Sequence, residues 1–463
     1  MSRRRRVAAL TFVLYLATLS LDAIRKVAGL PASILAVVYV ITVLIYIVSI
    51  PGTAGRKRET PRMLPIWLFM LSLWCLAVGL VQHIPLEMAL TGSASYVFFV
   101  PLVYVGAELA NDDRLLVKAM RLALISGSIV GAGAIASALL GQSAPEVLQP
   151  IIPSVGLHTG TTVAIYLSPS IFADAEEASE QLLIALFAWA ALAHLPNGSF
   201  RRVPSACLGV LIASGLIVAA RRADIDVAIA GIIAVLILGH ISASSARNLA
   251  ARARSRLGIT LFLAVVGSVA LVFFSGENKL LPFLTSGSAG SRISLGFSLP
   301  NSGSLIGQGT GTSTQGVAVG GAAPLASGQV QGVYASYILG GRTFITAEGS
   351  LAKTWLELGI MGVVLYGAVF WAALAPVIRS LRRLDGAGVA LAMLAIALGV
   401  IFLKGHQSLD DPLIQPLFWL SVGGIWGRMR AVAVSGIKAR EPYSDRAPPV
   451  GGPPLPLSGN RYG

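Results

Sequence analysis

Apolar runs about as long as a bilayer is thick recur along this chain, and they limit its fold more than any other feature. About 20 residues at 1.5 Å rise cross a 30 Å hydrocarbon core. Runs of that size lie near 7–21, 30–50, 64–82, 86–109, 116–140, 180–196, 204–221, 224–241, 257–275, 350–377, 386–404 and 412–428. Only 12% of the residues are charged, roughly half the share of a soluble domain. The expectation is an all-α, polytopic integral membrane protein of about 12 transmembrane helices. Residues 158–172 are interrupted by Pro169 and followed by Asp174, Glu176, Glu177 and Glu180. A re-entrant or interfacial element suits them better than a span.

The net charge of +14 in a soluble protein would point to nucleic acid, but here it follows the loops. If the N-terminus is cytoplasmic, the inner segments hold 26 of the 35 Lys and Arg. The positive-inside rule asks for that asymmetry, so no nucleic-acid partner is needed and both termini are expected in the cytoplasm. Residues 1–428 then form the membrane domain. Residues 276–348 form an extracytoplasmic loop between the ninth and tenth helices, and 429–463, rich in Pro, Gly and Arg, form a disordered tail.

Chemistry is sought first in that loop, which holds 15 Gly and 10 Ser in 73 residues without obvious secondary structure. Loops of that length are usually functional or disordered. Gly307 to Gly311 (GQGTG) looks superficially like a phosphate-cradling loop, but no strand precedes it and no helical pattern follows. Its glycines read as turn-formers. Arg221 and Arg222 sit at the outer end of the seventh helix, against the charge rule. They either pair locally with Asp224 and Asp226 or bind an oxyanion, which a guanidinium fork suits. Glu348 reads either as a capping acid or as a functional carboxylate at the start of the tenth helix. Glu357 lies deeper on that helix, where pairing with Lys353 is the economical explanation.

His83, His158 and His406 are outer histidines, while His194 and His240 fall at inner helix ends, so the five form no cluster. Cys75 and Cys207 lie in apolar runs, away from metal-ligand spacing. No cofactor is expected, although carboxylates such as Asp410 and Asp411 have the chemistry to hold a divalent cation.

Three passages, in order, resemble the bacterial O-antigen ligase and polysaccharide polymerase superfamily, over roughly residues 205–375. ASGLIVAARRADIDVAIAGIIAVL is similar to that family's helix ending in an arginine turn, with Arg221 or Arg222 at the arginine position. SRISLGFSLPNSGSLIGQGTGT resembles its outer-loop pattern and places Arg292 at the loop arginine. TAEGSLAKTWLELGIMGVVLYG is similar to the stretch that closes the loop and opens the next helix, but Glu348 stands where the family has a histidine and Gly349 where it has an asparagine.

The resemblance implies a metal-independent glycosyltransferase in the bacterial inner membrane. Its donor would be a glycan on undecaprenyl pyrophosphate, its acceptor a glycan or lipid hydroxyl, and polysaccharide-assembly proteins would be its neighbours. Arg221, Arg222, Arg292 and Arg342 would then bind substrate and Glu348 would act as base. The rival expectation is a transporter or lipid flippase, which twelve spans also suit; a scaffold would leave the outer arginines without a reason.

Overall fold

The computed structural model describes residues 6–10, 13, 63–140, 156–158, 165–167, 175–195, 202–219, 228, 231, 305–313, 323–324, 336–339, 342–345, 350–380, 384–404 and 414–440. Its helices are α1 (Met63–Val81), α2 (Leu86–Val97), α3 (Leu102–Ala110), α4 (Asp113–Leu140), α5 (Ala175–His194), α6 (Arg202–Val218), α7 (Ser350–Ser380), α8 (Gly386–Lys404) and α9 (Ile414–Arg440). Met63–Val81, Leu86–Ala110, Asp113–Ala136 and Ser350–Ile378 are long and apolar enough to cross a membrane. They coincide with four of the expected spans. The expected spans at 30–50 and 257–275 lie outside the described residues, as do those at 7–21 and 224–241 apart from a few positions.

The described helices pack as a bundle with both antiparallel and parallel neighbours. Asp385 at the start of α8 meets Arg428 of α9, and Gly399 meets Phe418 further along, so this pair is antiparallel. α3 and α9 run parallel, since Val103 abuts Gly423 and Ala107 abuts Gly427. Backbones this close need small residues at the crossing. Gly106 on α3 faces the Leu420 carbonyl, and Gly423 and Gly427, spaced as small-xxx-small, face the Val103 and Ala107 carbonyls. Gly127 and Gly131 repeat the device on α4, against Ala185 of α5 and Gly215 of α6.

Without a hydrophobic drive between helices in lipid, such close packing and interhelical hydrogen bonds hold the bundle together. Rings fill the space between α2, α7, α8 and α9. Tyr96 and Tyr366 meet edge to face at 5.6 Å, and Phe370 lies 5.3 Å from Phe418 and 5.1 Å from Trp419. On α1, by contrast, Ile66, Trp67, Phe69, Met70 and Leu73 are exposed, the composition of a lipid-contacting face.

Three expectations change. The all-α description fits the bundle, but short strands occur outside it: β1 (Gly156–His158), β2 (Ile165–Leu167), β3 (Ala323–Pro324), β4 (Ser336–Leu339) and β5 (Arg342–Ile345). β1 and β2 pair antiparallel within the stretch expected to be re-entrant or interfacial. β3 pairs with β4 and β4 with β5, both antiparallel, with Leu339 opposite Arg342. The long loop therefore does carry regular structure. Finally, α9 runs past residue 428 through Arg440. Hydropathy falls after Met429, but MRAVAVSGIKAR has no proline before Pro442, and one interior glycine, Gly436, is tolerated.

Candidate functional site

α7 is not one helix. Gly359 has φ 68° and ψ −167°, which interrupts the helix inside an apolar run. A break frees carbonyls on its N-terminal side, and in a bilayer each orphan costs free energy unless protein satisfies it. Three consecutive carbonyls find partners from other segments. The Gln308 N–H donates to Leu356 O at 2.7 Å and the Gly309 N–H to Glu357 O at 3.2 Å. Trp74 Nε1 of α1 donates to Leu358 O at 3.0 Å.

Gly307–Ser313 therefore fills the break. Gly307, Gly309 and Gly311 all have positive φ, and two of them have no room for a side chain. A Cβ at Gly307 would meet the Glu357 carbonyl, and one at Gly311 the Met88 carbonyl of α2. The reading of these glycines as turn-formers holds, and the turn they form is embedded. Thr310 Oγ1 donates to Cys75 O at 2.6 Å, while Gln82 Nε2 donates to Gly307 O at 2.7 Å. Cys75 and Gln82 are seven residues apart on α1, so the loop descends about 10 Å along that helix. Thr310, Thr312 and Ser313 are buried.

The loop ends on a carboxylate. Glu357 is fully buried; its Oε1 accepts from the Ser313 N–H at 2.7 Å and its Oε2 from the Tyr96 hydroxyl at 2.9 Å. Lys353 is also buried, with Nζ 5.8 Å from the centroid of the Tyr96 ring. A buried acid is tolerated only when its oxygens are hydrogen-bonded, and here the donors come from two other segments of the chain.

Gln82 connects this buried chemistry to the bundle end. α1 closes with a Schellman arrangement: the His83 N–H donates to Leu80 O and the Ile84 N–H to Gly79 O, both near 3.0 Å, with His83 at φ 53°. That turn leaves the Gln82 carbonyl pointing outward, and Arg342 takes it. Arg342 Nη1 donates to Gln82 O at 2.9 Å and Nη2 to Gln82 Oε1 at 3.0 Å, with its guanidinium 5.2 Å from the Phe344 ring. The side chain is exposed, and a guanidinium has five N–H donors, so donors remain for an anion at the surface.

Of the expected site residues, Arg342 is thus positioned at the rim. Arg221, Arg222, Arg292 and Glu348 lie outside the described residues. Sequence reasoning missed Gln82, Tyr96 and Ser313 as partners of the site. The signal available was the coincidence of alternating glycines at 307, 309 and 311 with a glycine directly after Glu357-Leu358. No protein-family model matches this chain, and neither does any curated protein sequence.

Proposed function

We propose that the chain is a membrane glycosyltransferase of the O-antigen ligase and polysaccharide polymerase type, acting on a glycan carried by undecaprenyl pyrophosphate. In this reading the acceptor hydroxyl oxygen attacks the anomeric carbon and its proton passes to Glu348. The bond to the pyrophosphate oxygen breaks, and undecaprenyl pyrophosphate leaves with the electron pair. The observation that carries the reading is Arg342. Its cation is exposed beside the end of α1, fixed by two hydrogen bonds to Gln82, with donors to spare for a departing pyrophosphate.

Arg221 or Arg222 and Arg292 complete the anion site, and no metal or other cofactor is required. The Arg342 end faces outward and both termini face the cytoplasm of a bacterial inner membrane, as the split of Lys and Arg supports. Partners are the lipid-linked donor, a glycan or lipid acceptor, and polysaccharide-assembly proteins.

The test is transfer from a lipid-linked donor by purified protein. Arg342→Ala should lower kcat/KM about 10²-fold, and Arg342→Lys should recover little of it, because an ammonium cannot reproduce the fork. Equal rates in all three proteins would remove Arg342 from the site. In cells, gene deletion that leaves single repeat units indicates a polymerase, one that leaves free long chains a ligase, and unchanged surface glycans would sink both.

A second reading, a transporter or lipid flippase, draws on the break at Gly359 and the buried Glu357. Broken helices around buried ionisable groups recur in carriers. Solute or lipid movement in proteoliposomes without any transfer product would favour it.

A further inference from the structure

Glu357 has no part in the proposed chemistry, yet it is the most deeply committed ionisable group near it. Both its oxygens are engaged, by donors from α2 and from the embedded loop. The rest of the loop is bonded to α7 and α1 through its backbone and a threonine. Gln308 and Gly309 bond the carbonyls on either side of the Glu357 side chain, Thr310 bonds Cys75, and Gly307 bonds Gln82. Gln82 in turn holds Arg342 through both its backbone and its side-chain oxygen. The connected path runs from the Glu357 carboxylate through Ser313 and the loop to Gly307, Gln82 and the exposed guanidinium.

We infer that Glu357 is a positioning residue: its carboxylate clasps the Gly307–Ser313 loop into the break of α7, and the seated loop fixes Gln82 and, through it, Arg342. Several features fit this role and no direct contact with substrate. Glu357 is fully buried, with the loop packed on its oxygens. The loop closes over it through internal bonds, from Thr312 Oγ1 to Gly309 O at 2.6 Å and from Gln308 Nε2 to Ser313 Oγ at 3.1 Å. The three glycines let the loop lie against the α2 and α7 backbones, and the carboxylate adds the side-chain contact at its far end, where Ser313 meets it. Arg342 grips Gln82 only at the near end. Loosening the far end frees Gly307 to move, and the Gln82 side chain loses the carbonyl that aligns it.

The consequence for transfer rests on the glycosyltransferase reading; the clasp itself does not. Two readouts on the full-length, detergent-solubilised protein keep them apart. The first is maleimide labelling of Ser313→Cys in a Cys207→Ser background. Cys75 is buried but lies under the loop that Thr310 bonds to it, so it is replaced by Ala and overall folding is followed by size-exclusion elution. Ser313→Cys should be protected when Glu357 is present. Glu357→Ala should raise its labelling rate tenfold or more with elution unchanged. Glu357→Gln should raise it less than threefold, because the amide oxygen still accepts from the residue 313 N–H. Protection unchanged in Glu357→Ala would overturn the inference.

If Glu357→Ala also shifts the elution, Tyr96→Phe decides. It removes one donor to the carboxylate and leaves the rest in place, and should raise labelling about threefold; protection equal to the parent would overturn the clasp. The second readout is the split between KM and kcat for the lipid-linked donor. Glu357→Ala and Gln82→Met should each raise KM about tenfold with kcat within threefold, and only Glu357→Ala should expose Ser313→Cys. Normal KM in both would break the link to Arg342. If the unsubstituted protein shows no transfer while labelling follows the expected order, the glycosyltransferase reading falls and the clasp stands.

Discussion

Two places in the bundle handle charge away from water, by opposite means. At one end Arg428 of α9 reaches Asp113 at the start of α4 and Asp385 just before α8. Its Nε also donates to Asp385 Oδ1 at 3.3 Å. The arginine is buried, but the two carboxylates keep side-chain exposures of 44% and 29%. At the helix break, Glu357 is fully buried and its oxygens accept from a backbone N–H and a phenol. The first arrangement ties the starts of α4 and α8 to the middle of α9, with carboxylates in partial contact with water. The second ties a helix to a loop in the bundle interior, where an orphaned donor has no water to turn to. Charge near the surface therefore serves as a staple, while charge at depth dictates how the backbone around it must run.

The largest effect is expected from Glu357→Ala. It leaves the Ser313 N–H and the Tyr96 hydroxyl without their acceptor, and hydrogen bonds to charged groups contribute about 1.5–3 kcal/mol each. Removing the cost of burying the acid offsets part of that, so the net loss should be about 2–4 kcal/mol. It should be insensitive to salt, because no ions reach the site. Thermal unfolding in detergent at low and high salt measures it. A loss that shrinks as salt rises would make this a second surface-type site and erase the contrast.

Arg428→Ala comes next. Two carboxylates would face each other without their cation, but both are solvated enough to be screened. We expect a loss of about 1–2 kcal/mol, falling as ionic strength rises. A loss independent of salt would show that Arg428 acts through packing. Its Nη1 also donates to Ala110 O at 3.4 Å, which gives the neutral part of the interaction a definite partner.

The contrast also explains what was legible in the sequence. The spans expected at 64–82, 86–109, 116–140 and 350–377 coincide with helical segments because length and hydropathy alone select them. A break inside such a span is another matter. Gly359 follows Glu357 and Leu358 in a span that hydropathy reads as continuous, and its departure from the helix is stabilised by Gln308, Gly309 and Trp74, residues far away in the chain. The embedded loop was obscured for the converse reason. Gly, Thr and Ser look like a solvated turn, and only the carbonyls and carboxylate of α7 make burial tolerable. The β4–β5 pairing lay inside a loop whose Gly- and Ser-rich composition masked it.

The smallest effect, and the cleanest comparison, is Trp74→Phe. Trp74 Nε1 donates to Leu358 O, so this bond shares the break with Glu357 but carries no charge. Phenylalanine keeps an aromatic ring against α7 and removes the donor, leaving one carbonyl of the broken helix unsatisfied. A neutral hydrogen bond of this kind contributes about 0.5–1.5 kcal/mol. The loss should therefore be well below that of Glu357→Ala, equally indifferent to salt, and should leave Ser313→Cys protected, since the loop bonds Leu356 and Glu357 rather than Leu358. Labelling of Ser313→Cys as fast in Trp74→Phe as in Glu357→Ala would mean that any weakening of the break releases the loop, and the carboxylate would lose its special place.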